Sequence, residues 1–328
     1  KLLARASGKA SVRAGENIWV KADVLLTHDV CGPGTIGVFQ REFGAQAKVW
    51  DRDRVLIIPD HYIFTADSRS NRNVDILREF VREQGIEHFF EMGEGICHQV
   101  LPEKGLALPG RIILGSDSHT CTYGALNCFA TGIDRTEAAG LWVTGRTWLR
   151  VPESMEVVLD GYLLDRVSAK DIILSIIGDV GADGATYMSV EFHGSGLAGL
   201  RMSDRLTISN MGVEMGAKLA VFPADRVTTG FLRGRGEELM IQEGALWSDR
   251  DACFAESRTY DLESVVPVVA RPHSVDNVVP VSDAGDIRID QVFIGTCTGG
   301  RVEDLEAARG ILRGSGVASG VRLIGGPA

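Results

Sequence analysis

Two unbroken apolar runs, each closing on a polar turn that carries aspartate and histidine, constrain this chain more than any other feature. Val55-Leu56-Ile57-Ile58 runs into Pro59-Asp60-His61, and Ile112-Ile113-Leu114-Gly115 runs into Ser116-Asp117-Ser118-His119-Thr120. Apolar runs of this length without alternation read as strands buried on both faces, the strands of a parallel or mixed sheet covered by helices. Between them, Val74, Ile76, Leu77, Phe80 and Val81 have helical spacing over 73–84, with a stop at Gly85. The alternation predicts an α/β fold, and in such sheets reactive groups sit just past the strand ends.

The 328 residues correspond to roughly two domains by length alone. Glycine, at 39 residues, exceeds ordinary usage and points to tight turns and close backbone approach. The formal charge of −10 argues against a sequence-independent nucleic-acid surface and against a surface that seeks anionic lipid. No stretch nears the ~20 apolar residues of a membrane span, and no signal peptide opens the chain. The six cysteines form no Cys-x-x-Cys pair and follow no small-domain disulfide spacing. They read as thiols of a reducing, cytoplasmic compartment. An organellar one stays open, because the chain begins at Lys1 and both ends read as incomplete.

Further along, 155–159 and 190–194 read as strands, and Ser168 as the N-cap of a helix over 169–178. A helix is expected over 210–219, a loop or boundary over 230–251, a last unit from about Tyr260, and a strand over 291–295.

Four segments gather ionisable and small polar residues where strands are expected to end: Thr27-His28-Asp29, Pro59-Asp60-His61, Ile96-Cys97-His98-Gln99 and the 115–120 run. A histidine beside a carboxylate is held in one tautomer and tuned for proton transfer. Singly, each also reads as a histidine satisfied by a local hydrogen bond; four in one half of the chain weaken that reading. Ser118 beside His119 suggests a nucleophilic pair, but strand neighbours face opposite ways and no Gly-x-Ser-x-Gly elbow is present. A mononuclear metal site built from His28, His61, His98 and His119 is a further alternative. Cys297, in a Thr-Cys-Thr-Gly-Gly turn after a strand, fits a metal ligand, a reactive thiol or an inert buried cysteine. Cys31, Cys97 and Cys253 read as packing residues, with Cys121 and Cys128 as weaker candidates for chemistry.

Together the segments resemble the aconitase superfamily. The resemblance rests on Gly115-Ser116-Asp117-Ser118-His119-Thr120, Pro59-Asp60-His61, Asn210-Met211-Gly212-Val213-Glu214 and Ile294-Gly295-Thr296-Cys297-Thr298. Thr27 to Pro33 and Asp60 to Phe64 are most similar to its branch of 3-isopropylmalate dehydratase and homoaconitase large subunits.

The resemblance implies a three-domain α/β/α architecture, divided here at 1–153, 154–258 and 259–328 with the third unit partial. It implies a hydro-lyase that removes and re-adds water on a hydroxy-carboxylate at a [4Fe-4S] cluster held by three cysteines. 2-Isopropylmalate to 3-isopropylmalate, in leucine biosynthesis, is the leading reaction, with homoaconitate or a dimethylmalate-type substrate as the alternative.

By similarity Cys297 is the first cluster ligand, and Asp60 with His61 delivers a proton to the departing hydroxyl. His98, Asp117 and His119 hydrogen-bond around that hydroxyl, and Asn210 and Glu214 lie near the open iron on one helical face. His28 and Ser118 contact substrate. The other two ligands belong to a downstream Cys-x-x-Cys, so a break between Ile324 and Gly325 is expected, and the cluster is expected to be incomplete on these residues alone. The catalytic serine sits on a separate small subunit, the implied partner. An RNA-binding role, known in some relatives, is opposed by the charge.

Overall fold

A computed structural model describes residues 1–63, 65–235 and 246–328. The chain opens with helix α1 (Leu2–Ser7), strands β1 (Asn17–Lys21) and β2 (Val24–His28), and helix α2 (Gly32–Phe43). It continues through β3 (Val55–Ile58), α3 (Ser68–Gln84), β4 (His88–Phe89), α4 (Cys97–Glu103) and β5 (Ile112–Gly115). A 3-10 turn over Thr120–Leu126 leads to β6 (Phe129–Gly132), α5 (Arg135–Thr144) and β7 (Arg146–Arg150). Strands β4-β3-β2-β5-β6 form a five-stranded parallel sheet. Strands β1 and β7 form a separate antiparallel ribbon.

The apolar runs explain the sheet. Leu25, Val55, Ile57, Ile112 and Leu114 enter one core; Val24, Leu26, Leu56, Ile58 and Ile113 enter another on the opposite face. Each strand therefore buries both of its faces, which is why its sequence does not alternate. Helix α3 starts five residues before the expected 73, because Asp67 accepts from the Arg69 N–H as its N-cap, and it stops at Gly85 with φ 66°.

A second parallel sheet, β10-β9-β8-β11, joins β8 (Ser154–Asp160), β9 (Ser189–His193), β10 (Leu219–Val221) and β11 (Glu256–Asp261). Its helices are α6 (Ala169–Val180), opened by the Ser168–Asp171 capping box, α7 (Met202–Asn210) and α8 (Arg226–Leu232). Strand β11 lies across positions 258 and 260, so chain beyond the expected boundary still belongs to this sheet. A hairpin of β12 (Val268–Ala270) and β13 (Val278–Pro280) follows, then β14 (Gln291–Gly295), α9 (Val302–Leu312) and β15 (Arg322–Gly326). The two units meet closely where the 3-10 turn approaches β10: a Cβ on Gly124 would stand 1.9 Å from Ala220 O.

Three expectations are corrected. The helix over 210–219 is not formed: Asn210 is the last residue of α7, a 3-10 turn takes Met211–Met215, and Gly216 at φ 82° turns the chain into β10. No break falls between Ile324 and Gly325; β15 pairs continuously with β14 through Phe293↔Ile324 and Ile294↔Gly325. Of the loop expected over 230–251, α8 takes residues up to Leu232, while 236–245 and Phe64 lie outside the described residues.

The fully buried Arg205 is held by Asp225 through two bonds of 2.9 and 2.6 Å and donates to Leu197 O at 2.8 Å. Asp225 also caps α8 through the Val227 and Thr228 amides. Removing one partner of such a pair leaves a buried charge uncompensated. Asp225→Ala is expected to lower unfolding free energy by about 2–4 kcal/mol in urea titration. Asp53→Ala, whose ion pair to Arg52 is exposed, should cost under about 0.5 kcal/mol.

Candidate functional site

The C-terminal ends of β2, β3 and β5 deliver His28, Asp60-His61 and Ser116–His119 to one place. His98 arrives differently, on the first turn of α4 rather than at a strand end. At the centre is Asp117, 7% exposed. Its Oδ1 accepts from His98 Nε2 at 3.0 Å and from the His119 amide at 2.7 Å. Its Oδ2 lies 3.4 Å from His61 Nε2 and 3.8 Å from His28 Nε2. Burial alone would raise its pKa, but hydrogen bonds from His61 and His98 hold the carboxyl well below the usual range. Gly115 makes the turn possible, since a Cβ there would stand 2.3 Å from Thr120 Oγ1.

His61 is held from both sides. Its Nδ1 is 2.6 Å from Asp60 Oδ1, and its ring stacks on His28 with centroids 3.9 Å apart. Asp60 Oδ2 in turn accepts from the Cys97 amide at 2.6 Å. Burial works to lower the His61 pKa, but the bonds to Asp117 and Asp60 overcome it and raise it to about 10. The same pairing holds Asp60 below the usual carboxylate value against its own burial. His61 is therefore an imidazolium between two carboxylates at neutral pH.

Asp29, fully buried, fixes this turn by accepting from the amides of Asp60, His61 and Tyr62 at 3.1, 3.0 and 2.7 Å. The sequence placed Asp29 in a candidate segment without assigning it a role; its value lies in three backbone donors that arrive from another strand. The bond network also sets tautomers. Val30 N–H donates to His28 Nδ1, so Nε2 carries the hydrogen and donates to Ser116 O at 3.1 Å. With His98 Nε2 donating to Asp117, His98 Nδ1 is a buried acceptor with no partner among the described residues.

A second group lines the side formed by the other unit. His119 Nε2 is 3.1 Å from Glu214 Oε1, and His119 Nδ1 is 3.0 Å from Ser118 Oγ. Ser118 and His119 lie in the turn after β5, so the strand argument that set them on opposite faces does not apply. Asn210 donates to Thr122 Oγ1 at 2.7 Å and to Cys297 Sγ at 3.3 Å. Because 211–215 is a 3-10 turn, Asn210 and Glu214 do not share a helical face: one reaches Cys297, the other His119.

Cys297 sits in the turn after β14, next to Thr296 at φ 69°. Burial pushes its thiol above the ordinary value, against the pull of Arg301 and the Asn210 hydrogen bond. Arg301, 4% exposed, bonds Gln99 Oε1 at 3.0 Å and Thr207 Oγ1 at 2.9 Å; no pattern in the sequence marked it. Cys97 and Cys121 are also near, but burial pushes Cys97 well up and Cys121 to about 12, and the Cys121 thiol donates to Asn210 O.

Cys97 is buried as expected of a packing residue, and Cys128 is buried as well. Cys253 is exposed, and Cys31 is half-buried with its thiol lowered to about 7 by His28, with Arg135 adding to the effect and burial opposing it; neither is the packing residue expected. The histidines do not converge on one metal position. Donor atoms of His28, Asp29, Asp60 and His61 form one group within 4.8 Å, and those of Cys97, His98 and Asp117 form another. Among the described residues no helix is long and apolar enough to cross a membrane.

The model of the aconitase family (aconitate hydratase) matches residues 7–286. The chloroplastic 3-isopropylmalate dehydratase large subunit of Arabidopsis thaliana is 46% identical over 327 residues, covering 96% of this chain and 64% of that protein. The 3-isopropylmalate dehydratase large subunit 1 of Methanopyrus kandleri is 46% identical over 329 residues, covering 100% and 77%. A probable methanogen homoaconitase large subunit of Methanothermobacter thermautotrophicus is 43% identical over 331 residues, covering 100% and 76%. The chain thus spans under two thirds of the Arabidopsis relative's length.

The His61 site generates a pH prediction. Its pKa is about 10 folded against 6.5 unfolded, so its charge stabilises fully below 6.5 and the contribution is lost as pH rises through 10. Water reaches 36% of the side chain, which discounts the contribution to about 1–2 kcal/mol. His61→Gln should therefore be less stable than the parent by that amount near pH 6, with the gap closing by about pH 10.5 in urea titrations. A gap unchanged across that range contradicts the assignment.

Proposed function

The chain belongs to the aconitase family, and from that premise we propose that it is the large, catalytic subunit of a hydro-lyase isomerising a hydroxy-dicarboxylate by dehydration and rehydration. The leading substrate is 2-isopropylmalate, converted to 3-isopropylmalate in leucine biosynthesis, as the names of the Arabidopsis and Methanopyrus relatives suggest. Homoaconitate is the second reading, favoured by the Methanothermobacter relative. The units 1–153, 154–258 and 259–328 go with this reading, with β11 carrying the second sheet to Asp261.

The observation that carries the proposal is the imidazolium of His61 between Asp60 and Asp117, the latter also acting on the Cys297 thiol that Asn210 bonds. Hydroxide is a poor leaving group, and its departure needs a proton and an electrophile. An acid with a pKa of about 10 transfers its proton readily to a departing hydroxide, whose conjugate acid, water, has a pKa of about 15.7. Both carboxylates hold the imidazolium before that transfer; once the Nε2 proton has left, the short Nδ1–H bond to Asp60 keeps the ring in position. The unpartnered His98 Nδ1 accepts a hydrogen bond from the substrate hydroxyl or from water, and Ser118, His119 and Glu214 form the opposite, hydrogen-bonding wall. His28, stacked on His61, contacts substrate beside it.

The donor set fits a [4Fe-4S] cluster in part. Cys297 serves as one thiolate ligand, with Asn210 bonded to its sulfur, and the family pattern takes two further cysteines from a Cys-x-x-Cys that this sequence does not contain. Such a cluster supplies Lewis-acid polarisation of the substrate hydroxyl and carboxylate. Cys297 would hold such a group as the thiolate, giving up its proton despite its burial. The relatives' designation as large subunits supports a small-subunit partner, and the family resemblance assigns to that partner the base that removes the carbon-bound proton.

Anaerobic reconstitution with iron and sulfide, with and without the small subunit, tests the reading on isopropylmalate and homocitrate. Isopropylmalate turnover should require the small subunit, and full turnover by the isolated chain overturns the subunit assignment. Asp60→Asn and His61→Gln should each lower kcat by about 10²–10⁴-fold with little change in KM. Near-parental kcat in both removes this pair from proton delivery.

A further inference from the structure

The β1–β7 ribbon has one face in the first core and one in solvent. Ile18, Val20 and Leu149 are buried, while the outer face presents Asn17, Trp19 and Lys21 opposite Arg150, Trp148 and Arg146. Trp19 and Trp148 are direct cross-strand partners at 66% and 59% exposure, among the largest apolar exposures on the chain. Lys21 faces Arg146 in register, a like-charge pair that is unfavourable in an isolated ribbon. Neither these two nor Arg150 has an ion pair among the described residues; of the carboxylates near in sequence, Glu16 is bonded to Lys9 and Asp23 to Arg54. An unpaired basic, tryptophan-centred face on a chain of net charge −10 runs against the rest of the surface. Exposed Trp and Arg are the residue types that dominate binding hot spots, and contiguous exposed apolar patches rimmed by charge mark interaction sites.

We propose that the outer face of the β1–β7 ribbon is a docking surface for an acidic segment of a partner protein, with Trp19 and Trp148 as apolar anchors and Lys21, Arg146 and Arg150 as charge partners. A second copy applied through the same face sets three cations against three and is repelled. Nucleic acid needs a longer run of phosphate contacts than three cations supply. The ribbon also lies away from the candidate site: Lys21 is joined by two residues to the N-terminal end of β2, whereas His28 stands at its C-terminal end. The small subunit's contribution at the site therefore does not account for this face. The patch is small against a standard interface of ~800 Å² per partner, which suits a short linear segment and a weak, salt-sensitive contact.

The test is binding of a fluorescein-labelled 12-residue peptide of alternating Glu and Val to the full chain, with a Gln/Val peptide as control, by anisotropy at low and high salt. The acidic peptide should bind with a Kd of roughly 10–100 μM at ~50 mM salt and weaken several-fold at ~300 mM. The Gln peptide should bind at least about tenfold more weakly, and both Trp19→Ala/Trp148→Ala and Lys21→Glu/Arg146→Glu should lose at least that much. These side chains are exposed, and unchanged circular dichroism confirms that the variants fold. Equal binding of both peptides, or unaltered binding by both variants, overturns the proposal. So does tighter binding of a 12-nucleotide single-stranded DNA at the same face, or a dimer in sedimentation that Trp19→Ala/Trp148→Ala dissolves.

Discussion

A single buried carboxylate organises the site. Asp117 gathers His98 at 3.0 Å, His61 at 3.4 Å and His28 at 3.8 Å. In water such contacts would be worth little; out of it, the proton on His61 is held strongly. That is why His61 keeps its proton far above the ordinary histidine range. It is also why His98 turns Nε2 towards the carboxylate and leaves Nδ1 as a free acceptor. The chemistry proposed for the chain needs both: a proton held ready and an acceptor for a hydroxyl.

The fold's part is to bring Asp117 and its histidines out of three strands and a helix terminus with little slack. The turns after β3 and β5 are tied to their neighbours through backbone donors, three of them to Asp29 and one to Asp117 itself. Asp60 is tied to α4 through the Cys97 amide. Side chains placed in this way do not reorganise as charge moves, which is the condition for electrostatic stabilisation of a charged step. The second unit closes the site through Asn210, Glu214 and the Gly124–Ala220 approach, so geometry there depends on packing between sheets rather than on local turns.

Much of the arrangement was legible in the sequence because the strands bury both faces. Val55–Ile58 and Ile112–Gly115 could be read as strands of a parallel or mixed sheet from their apolarity, and their terminal turns as a candidate site from the aspartates and histidines that follow. The stretch after Asn210 could not. Its composition suits a helix, but tertiary packing against β10 and the positive φ of Gly216 end α7 there, which sends Asn210 and Glu214 in different directions. The roles of Asp29 and Arg301 were equally hidden, because their partners (amides at 60–62, and Gln99 with Thr207) come from distant parts of the chain. Sequence spacing reports neighbours along an element, whereas these contacts exist only once elements have packed. Cys31 went astray for a related reason: its half-buried place beside His28 and Arg135 is set by the turn into α2, not by composition.

The measurement that tests the account most directly is the titration of the individual histidines by ¹⁵N NMR in the intact chain and in Asp117→Asn. The account predicts one imidazole, His61, that stays doubly protonated through neutrality and titrates at about 10, and a clear fall of that value in Asp117→Asn. A His61 ring that titrates near the ordinary 6.5, or one indifferent to the loss of the Asp117 charge, would contradict the claim that this carboxylate organises the site.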